Sequence, residues 1–366
     1  MTINYITYDS WWDTDTTIIP VLAQTAEVHV FCLNPGKELK YKDKKVPENV
    51  SLVQVTQKYR DRDIRSIWIA IKFYMMAFLF SKKKDDVFFF IPGKNPFLLL
   101  LVLLLASKNR TIISSHNYLE HGDNNSLGGS LGASLKKRMY EKFRFFHFFS
   151  RSQLDLFKKD YPSKKAFYTD MPLKDYGPAT QVVRSDDKIT LLFFGLIRDY
   201  KRLDWLIKAV KTVDSNRLRV VVAGKVTDRD KEKYTTMIGS SNNFSLHLGF
   251  VDNKDIPGYF LNSDFLVLPY DSATQSGPSL IAVNYGIPII ASDVPTFRSI
   301  IRNGENGYLF RTDSFDDFCN VLKHISAMSH EGIESLKEGQ RRFRTEYEED
   351  EHSVKFMTQS LMKMLK

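Results

Sequence analysis

The stretch LPYDSATQSGPSLIAVNYGIPIIASDVPTFRSIIRNGENGYLF, from Leu268 to Phe310, decides the fold. It begins at the end of an apolar run typical of a buried strand, and a loop of small residues follows. A helix is predicted from Pro278 to about Tyr285, because proline in the first turn lacks only an N–H that has no partner there. Gly286 ends this helix, and the apolar run Ile287–Ala291 predicts a second buried strand. Strand, loop, helix and strand in this order indicate an α/β protein.

The loop between the first strand and the helix has the composition of an anion site. Unpaired backbone N–H groups and the positive end of the helix dipole converge at such a helix start. The Thr274 hydroxyl, Ser276 and Gly277 would lie at its mouth. The alternative is an ordinary strand–helix connection without a ligand, which this segment by itself leaves open.

A second segment, LLFFGLIRDYKRLDWLIKA from Leu191 to Ala209, places cations in a similar arrangement. A buried strand breaks at Gly195, and Arg198 and Lys201 follow before an amphipathic helix. In open α/β sheets ligands bind beyond the carboxyl ends of the strands, and Arg and Lys are the side chains that bind phosphate. The two cations are therefore candidate phosphate ligands, and the alternative is that both are solvated surface residues.

These two segments and the sequence between them resemble the nucleotide-sugar-binding half of glycosyltransferase family 4, whose members are retaining enzymes with the GT-B fold. The resemblance implies an α/β fold of two doubly wound Rossmann-like domains that face each other across a cleft, with a C-terminal helix returning to the first domain. The matching segments are FGLIRDYKRLD (Phe194–Asp204), VVAGKV (Val221–Val226), LGFVDNKDIPGYFLNSDFLVLPY (Leu248–Tyr270), SATQSG (Ser272–Gly277), GIPIIASDVPTF (Gly286–Phe297) and NGENGYLF (Asn303–Phe310).

The resemblance also implies a donor site in the C-terminal half. Arg198 and Lys201 match the cations that neutralise the donor diphosphate as the nucleotide leaves, and with His116 from the N-terminal half they are the implied catalytic residues. The implied donor is a nucleoside-diphosphate sugar, UDP- or GDP-linked, and neither a metal nor a resident cofactor is implied. The implied donor-binding residues are Gly195, Gly249, Phe250, Val251, Thr274, Gln275, Ser276 and Gly277.

The donor half also departs from the family pattern. Many members carry two glutamates eight positions apart, one near the donor sugar and one on the ribose, and the matching positions here hold Ala273 and Ile281. The loop has an ATQSG form that resembles a bacterial branch of the family. Arg198 is displaced by two positions from the more common spacing to Lys201. The mode of ribose recognition, and with it the nucleotide, stays open.

The N-terminal half alternates predicted strands and helices, in the rhythm of another doubly wound sheet. We expect an acceptor-binding domain over residues 1–173, a linker over 174–188, a nucleotide-sugar-binding domain over 189–350 and a C-terminal helix over 351–366 that packs on the first domain. Gly, Pro and charged residues without apolar periodicity predict the linker. The predicted N-terminal strands are Ile3–Thr7, Val28–Leu33, Ser51–Val55, Val87–Ile91 and Thr111–Ser114.

Two polar loops of the N-terminal half hold the candidate acceptor-side residues. His116 follows a predicted strand and matches the family histidine near the donor sugar, and the resemblance implies that its neighbours shape the acceptor side. The segment DTDTT either contacts the acceptor through its two aspartates or caps the first helix through an Asp or Thr oxygen. Histidines and carboxylates also bind metals, but without cysteines the spacing here is weak evidence and no metal is predicted. The acceptor-side candidates are Asp13, Asp15, Glu120, His121 and Asp123.

The charge is unevenly distributed. Residues 1–180 hold 27 Lys and Arg against 18 Asp and Glu, whereas the remaining residues hold 25 of each, so the net charge of +9 lies in the N-terminal half. No nucleic-acid-binding motif accompanies it, so no nucleic-acid partner is predicted. An anionic membrane attracts clustered Lys and Arg, and we favour peripheral attachment to such a membrane over a solvated basic face. The apolar residues expected on a helix beside this charge are Met139, Phe143, Phe145 and Phe146.

The long apolar runs are shorter than the roughly 20 residues of a membrane-spanning helix. Ile67–Phe80 and Phe97–Ala106 predict helices that mainly face the core, and for the first the alternative is a helix dipping into a bilayer surface. Cys32 and Cys319 lie in different predicted domains and indicate neither a disulfide framework nor a metal site, which suits a reducing cytoplasm. The expected location is cytoplasmic, at the inner face of the plasma membrane when attached.

The resemblance implies a retaining glycosyltransferase that moves a sugar from a nucleoside-diphosphate sugar to a glycan or lipid-linked glycan in bacterial surface polysaccharide synthesis. Negative charge builds on the departing phosphate, and Arg198, Lys201 and the helix start would stabilise it without a metal. Two alternatives stay open. One is a nucleotide-sugar epimerase of the same architecture, and the other is a non-catalytic relative, suggested by Ala273 and Ile281.

Overall fold

The computed structural model describes residues 2–8, 11–34, 47, 49–56, 63–79, 86–92, 96–115, 118, 127–179 and 187–365. The chain divides into two units, the first formed by Met1–Pro172 with Glu349–Lys366 and the second by Leu173–Glu348. Each unit contains one parallel sheet and a core of its own. Two doubly wound Rossmann-like units are the fold class that the sequence predicts.

The first unit is built on a parallel sheet. Among the described residues its strands lie in the order β3-β2-β1-β4-β5-β6-β7. Strands are added on both sides of β1, as in a doubly wound sheet. All five strands predicted in this half are present, each within a residue or two of its expected bounds. The strands are β1 (Thr2–Tyr8), β2 (Glu27–Asn34), β3 (Val50–Thr56), β4 (Val87–Phe90), β5 (Thr111–Ser115), β6 (Phe145–Phe148) and β7 (Lys165–Tyr168).

Helices cover both faces of this sheet. Side chains alternate along a strand, so Ile6 packs with the helices of one face while Tyr5 and Thr7 point at the other, where their hydroxyls donate to Asp15 at 2.7 and 2.6 Å. Asp15 belongs to α1, which therefore lies on the second face, and α2 to α5 cover the first. The helices are α1 (Trp12–Ala23), α2 (Ile64–Leu79), α3 (Pro96–Leu105), α4 (Leu127–Lys142) and α5 (Arg151–Asp160).

The expectation of a membrane-facing helix around Phe145 is wrong. Phe145 and Phe146 lie on β6, a strand the sequence interpretation missed, and both are buried. Met139 and Phe143 are buried in the same core. β6 is only four residues long, Phe145–Phe148. So short a run has no clear period, and the sequence does not show whether it forms a buried strand or a buried helix. These four side chains stabilise the core and are closed to a bilayer.

The second unit repeats the doubly wound plan. In the described part of this unit the strand order is β10-β9-β8-β11-β12-β13, and the recorded pairings are parallel. The strands are β8 (Ile189–Phe194), β9 (Leu218–Gly224), β10 (Phe244–Leu248), β11 (Phe265–Leu268), β12 (Ile289–Ser292) and β13 (Gly307–Phe310). The helices are α6 (Leu203–Val213), α7 (Asp228–Ile238), α8 (Ile256–Leu261), α9 (Gly277–Tyr285), α10 (Pro295–Arg298), α11 (Phe315–Ser326) and α12 (His330–Glu349).

The helix predicted after Pro278 is α9. It begins one residue earlier, at Gly277, and Gly286 ends it in the left-handed conformation with φ of +68°, where glycine carries no Cβ penalty. The strand predicted at Ile287 is β12, which starts two residues later at Ile289. The local pattern thus located both elements correctly.

The chain enters the second unit before the predicted linker. The Tyr285 hydroxyl accepts the N–H of Tyr176 at 2.9 Å and donates to the Gly177 carbonyl at 2.8 Å. These bonds attach the start of the segment predicted as a linker, residues 174–188, to α9. Residues 180–186 of that segment lie outside the described part of the chain.

The C-terminal segment returns to the first unit, as expected. A short 3₁₀ turn, Val354–Phe356, leads into α13 (Met357–Leu365), so the helix is shorter than the predicted 351–366. Lys165 Nζ donates to the Met364 carbonyl at 3.1 Å, and Thr358 Oγ1 donates to the Val21 carbonyl at 3.3 Å. These contacts place α13 beside α1 and β7. Within the described ranges, no helix has both the length and the apolar character needed to cross a bilayer.

Candidate functional site

The carboxyl ends of β8, β9 and β10 meet at one edge of the second sheet. The Gly195 N–H donates to the Ala223 carbonyl at 2.9 Å, and the Gly249 N–H donates to the Gly224 carbonyl at 3.0 Å. Three glycines, one after each strand or at its end, are therefore neighbours although they are far apart in sequence. This edge is where an open α/β sheet binds its ligand.

Two of these glycines approach each other so closely that no side chain fits. Gly224 has φ of +152°, and a methyl group in place of its hydrogen would lie 1.9 Å from the Gly195 carbonyl oxygen. Gly195 itself has φ of +101°. Both backbones adopt conformations that L residues rarely take, and the turn after β8 depends on them.

The start of α9 faces the same edge, because β11 pairs with β8. Ser276 is the N-cap, and its Oγ accepts the N–H of Ser279 at 3.4 Å. Among the described residues nothing accepts the N–H groups of Ser276 and Gly277. Two backbone donors and the positive end of the helix dipole are thus available to an anion.

Lys201 brings its ammonium group to this helix start. A methyl group at Gly195 would lie 3.7 Å from Lys201 Nζ and 3.5 Å from Cγ of Pro278, in the first turn of α9. The ammonium also lies over the Tyr270 ring, 5.2 Å from its centroid. Although Lys201 belongs to the 3₁₀ turn after β8, its charge is presented to the loop after β11. Lys201 and the start of α9, which the resemblance assigns to the same site, are therefore neighbours in the structure.

The charge of Lys201 is buried without a counter-ion. The residue is 7% exposed, and among the described residues its ammonium has neither an ion pair nor a hydrogen-bond acceptor. Burial, and secondarily the charge of Arg198, lowers the pKa of Lys201 to about 8. Burying an uncompensated charge costs free energy, and an anion bound beside Lys201 would reduce that cost.

Arg202, one residue further on, behaves in the opposite way. Its guanidinium pairs with Asp204 at 3.3 Å and with Asp271 at 2.9 Å, and it stacks on Trp205. The Asp271 N–H also donates to the Tyr200 carbonyl at 2.8 Å. These bonds join the turn that carries Lys201 to the loop after β11. Arg202 thus holds the site in shape, a role that the sequence analysis missed.

Arg198 is exposed and, within the described ranges, has no ion pair. It precedes the 3₁₀ turn in an extended conformation, so its side chain can reach a ligand beyond the strand ends. The two predicted cations therefore differ in their surroundings, because Lys201 is buried and Arg198 is solvated.

Lys174 is a further cation at the helix start that sequence reasoning missed. Its Nζ would lie 3.9 Å from a methyl group placed on Gly277. The lysine is in the segment that was interpreted as a linker, where no strand or motif points to a site. Only the attachment of this segment to α9 reveals its position.

The remaining donor-side candidates lie around this edge. Thr274 and Gln275 are half-buried in the loop before α9, and Val251 is half-buried after β10. Phe250 extends into solvent with 76% of its surface exposed. The two positions that hold glutamate in many family members differ from each other: Ala273 packs at the edge of the core, and Ile281 is buried inside it. Ile281 therefore has no access to a ligand.

Asp15 of the first unit is a core residue. Both of its oxygens accept hydrogen bonds from β1, and the side chain is closed to solvent. It does not cap α1, whose N-cap is Trp11, so the capping interpretation is wrong. Asp13 is half-buried in the first turn of the helix. The candidates His116, Glu120, His121 and Asp123 lie outside the described residues.

We expect Asp15→Asn to change how stability depends on pH. Burial raises the pKa of Asp15 to about 7, so between about pH 4 and pH 7 the folded chain keeps a proton that the unfolded chain has released. Stability from this group is present at acidic pH and is lost as the pH rises through about 7. The free energy of unfolding of the asparagine variant minus that of the wild type should therefore rise by at least ~1 kcal/mol from pH 4 to pH 8.

Urea unfolding at several pH values measures this difference. Burial lowers the pKa of His147 to about 3, so this residue makes both proteins more stable as the pH rises. Its contribution cancels when the free energy of unfolding of the wild type is subtracted from that of the variant. Asp155→Asn is the control, because that side chain is 63% exposed. A difference between Asp15→Asn and wild type that is flat with pH would show that Asp15 is ionised in the folded protein.

No group of three or more His, Cys, Asp and Glu side chains suited to a metal ion occurs in the part of the chain that the structure describes. The edge formed by the carboxyl ends of β8, β9 and β10 offers cations and N–H groups, which are the groups that bind anions directly. Phosphate is the anion that this combination fits best, because its oxygens accept from several donors at once.

Residues 188–327 match the family described as glycosyl transferases group 1. A protein of the Klebsiella pneumoniae cps region is 28% identical over 157 residues, 43% of this chain and 41% of that protein. A GDP-mannose:glycolipid 4-beta-D-mannosyltransferase of Xanthomonas campestris is 26% identical over 121 residues, 33% of this chain and 35% of the relative. The alignments thus span less than half the length of these relatives.

Solved structures resemble the whole chain. Sucrose-phosphate synthase of Thermosynechococcus elongatus superposes with a TM-score of 0.74 at 12% identity, covering 100% of this chain and 99% of that one. Anabaena HepE, solved in complex with UDP, superposes with a TM-score of 0.66 at 12% identity and the same coverage. The fold is GT-B. The family match lies within the second unit.

Proposed function

We propose that this protein is a retaining glycosyltransferase that transfers a sugar from a nucleoside-diphosphate sugar, UDP- or GDP-linked, to a glycan or lipid-linked glycan, without a metal. The observation that carries the proposal is the buried, uncompensated ammonium of Lys201 beside the start of α9. A diphosphate would supply the missing negative charge.

The same groups would act on the transition state. As the bond between sugar and phosphate breaks, negative charge grows on the departing phosphate. Lys201, the N–H groups of Ser276 and Gly277 and the helix dipole would face that position before the bond breaks, so little reorganisation would be needed when the charge develops. Arg198 would close on the diphosphate from solvent, and the bidentate guanidinium suits two phosphate oxygens. His116 is the proposed partner of the donor sugar from the N-terminal unit.

Similar proteins support the choice of donor and the setting. The name of the Xanthomonas relative includes GDP-mannose and a glycolipid, and the Anabaena structure was solved with UDP. The Klebsiella relative is from a cps region. We therefore propose a lipid-linked glycan as acceptor, at the inner face of the plasma membrane, in bacterial surface polysaccharide synthesis.

A donor screen tests the proposal. Thermal unfolding of the full chain is followed with UDP-, GDP-, dTDP- and CMP-sugars, each with EDTA and with magnesium. We expect stabilisation by one diphosphate sugar, equal in EDTA and magnesium, because ligand binding to the folded state raises its stability. Arg198→Ala should weaken this stabilisation without altering the unfolding temperature of the free protein, because the side chain is exposed. Lys254→Ala, in the 3₁₀ turn Asn253–Asp255 after β10, is the matched cation control.

The reaction products separate the alternatives. Transfer that needs an acceptor and keeps the anomeric configuration of the donor, read from the anomeric proton in NMR, supports the proposal. Inversion would overturn the retaining part alone. A sugar product with changed configuration at a ring carbon, formed without any acceptor, would indicate an epimerase. The absence of stabilisation by every nucleotide sugar would indicate a non-catalytic relative.

A further inference from the structure

The outer surface of α2 and α3 is unusually apolar. Among the described residues, large apolar side chains are exposed at many places in the first unit, and most of them lie on these two helices. Trp68 is 58% exposed and Leu104 is 70% exposed. Large exposed apolar patches on soluble proteins mark interaction sites. The exposed side chains of the two helices are Ile64, Trp68, Met75, Met76, Leu79, Phe97, Leu100 and Leu104.

The pattern on α2 is that of a two-sided helix. Its buried side packs on the sheet through residues such as Phe73 and Tyr74, as the sequence predicts. The opposite side carries Ile64, Trp68 and Leu79, which are spaced so that they share one helical face. The expectation that this helix mainly faces the core is therefore correct for one side only. The exposed side has no packing partner within the described ranges.

The exposed face continues onto α3. Phe97, Leu100 and Leu104 are spaced three and four residues apart and project from the same side of that helix. The C-terminal carbonyls of α3 are held by Lys142 of α4, whose Nζ donates to the Ala106 carbonyl at 3.0 Å and also to the Leu103 carbonyl. This contact fixes α3 against α4. The apolar surface is thus part of the folded unit rather than a frayed end.

Cations lie on α2 and on α4, the helix that neighbours α3. Lys72 lies within the exposed stripe of α2 and, among the described residues, has no acidic partner. Arg65, on the same face, is paired with Asp63 at 2.7 Å. Lys137 and Arg138 are exposed on α4, next to α3. In sequence, Lys82–Lys84 follow the end of α2, outside the described residues. The described part of α2 and α3 contains no Asp or Glu.

We propose that the outer face of α2 and α3 docks on an anionic lipid bilayer, with the apolar side chains entering the headgroup boundary and Lys72 and the α4 cations contacting lipid phosphates. Apolar side chains combined with cations are what interfacial helices use, and lysine can extend its charge to the headgroups from within an apolar surface. A second copy of this chain fits less well, because it would bring like charges together. The inference rests on the proposed membrane-bound acceptor. It takes up the alternative given for Ile67–Phe80 and replaces the favoured apolar residues around Phe145, which are buried.

Co-sedimentation with vesicles tests the docking face. The full chain is mixed, without donor or acceptor, with vesicles of phosphatidylcholine alone and with vesicles that also contain phosphatidylglycerol. We expect binding to the anionic vesicles that weakens with salt. The double variant Trp68→Ser with Leu104→Ser should lose more than ~10-fold in partitioning, and Lys72→Glu should lose at least ~5-fold. Thermal unfolding confirms that each variant is folded.

Matched controls lie on the opposite side of the first unit. Met362 is 41% exposed on α13, and Lys363 is exposed beside it. Met362→Ser and Lys363→Glu should bind vesicles as the wild type does. Equal binding by all variants, or no binding of the wild type to anionic vesicles, would overturn the proposal. So would a wild-type dimer in sedimentation velocity that Trp68→Ser with Leu104→Ser dissociates while vesicle binding stays unchanged. Because no donor is present, failure of this test is independent of failure of the transferase proposal.

Discussion

Replacing Lys201 with methionine should abolish most of the catalytic activity and make the free protein more stable. Turnover with the donor found in the screen should fall at least ~10²-fold, as it does when a preorganised group facing a developing negative charge is removed. The free energy of unfolding at neutral pH should rise by at least ~1 kcal/mol, because methionine fills a similar volume without a buried charge. Few sites outside a ligand-binding region would show this combination.

The pH dependence of the two quantities distinguishes a binding lysine from a merely buried one. Lys201 loses its charge as the pH rises through about 8, so donor affinity should be full below that pH and decline above it. Between about pH 8 and pH 10 the unfolded chain keeps a proton that the folded wild type has released, so the wild type gains stability in that interval and the advantage of Lys201→Met shrinks. Urea unfolding and donor titration over this range measure both.

Lys208→Met is the matched control for this experiment. Lys208 lies on α6, seven residues further along, and its side chain is 60% exposed. It should keep normal turnover and should not gain stability. If Lys201→Met retains nearly normal turnover, the helix start of α9 is not the diphosphate site and the proposed function fails at its central residue.

Replacing Gly224 with alanine should be the most destabilising single substitution at the site. The new methyl group would meet the Gly195 carbonyl oxygen at 1.9 Å, which is far inside contact distance and involves backbone on both sides. The positive φ adds strain to the clash. We expect a loss of about 3 kcal/mol or more in the free energy of unfolding. Donor affinity should fall as well, because the turn that carries Lys201 would move.

Gly258→Ala is the control for Gly224→Ala. Gly258 lies inside α8, and a methyl group there meets nothing within 4 Å. Alanine is the better helix former, so this variant should be unchanged or more stable by up to about 1 kcal/mol. Urea unfolding of the two variants side by side gives the comparison. A Gly224→Ala protein as stable as the wild type would mean that the backbones at the ends of β8 and β9 do not approach each other as described.

Much of the donor side could be predicted from the sequence because its signals are local. Pro278 and Gly286 mark the two ends of α9, and both act through their own backbone conformation. The apolar run before Gly195 predicts β8 in the same way. Once two parallel strands are recognised, their loops must meet at one edge of the sheet. That rule places Lys201 and the start of α9 at the same edge, and the pairing of β8 with β11 makes them neighbours.

Other features depended on which neighbour covers a side chain. Asp15 could cap a helix or contact a ligand as far as its surroundings in sequence show, and only the packing of α1 on β1 places Tyr5 and Thr7 against it. Phe146 was assigned to a helix because a short apolar run has no distinctive period. Lys174 reaches Gly277 through a chain return that no local pattern encodes.

The sequence alone located most strands of the two sheets and the start of α9, because hydrophobic periodicity, proline and glycine act over a few residues. Only the tertiary structure decided that Lys201 is buried without a counter-ion, that Arg202 is paired, and that α2 exposes an apolar face. Burial and charge compensation depend on residues distant in sequence. The sequence shows which side chains are apolar or charged, and the fold decides whether water, protein or a ligand surrounds them.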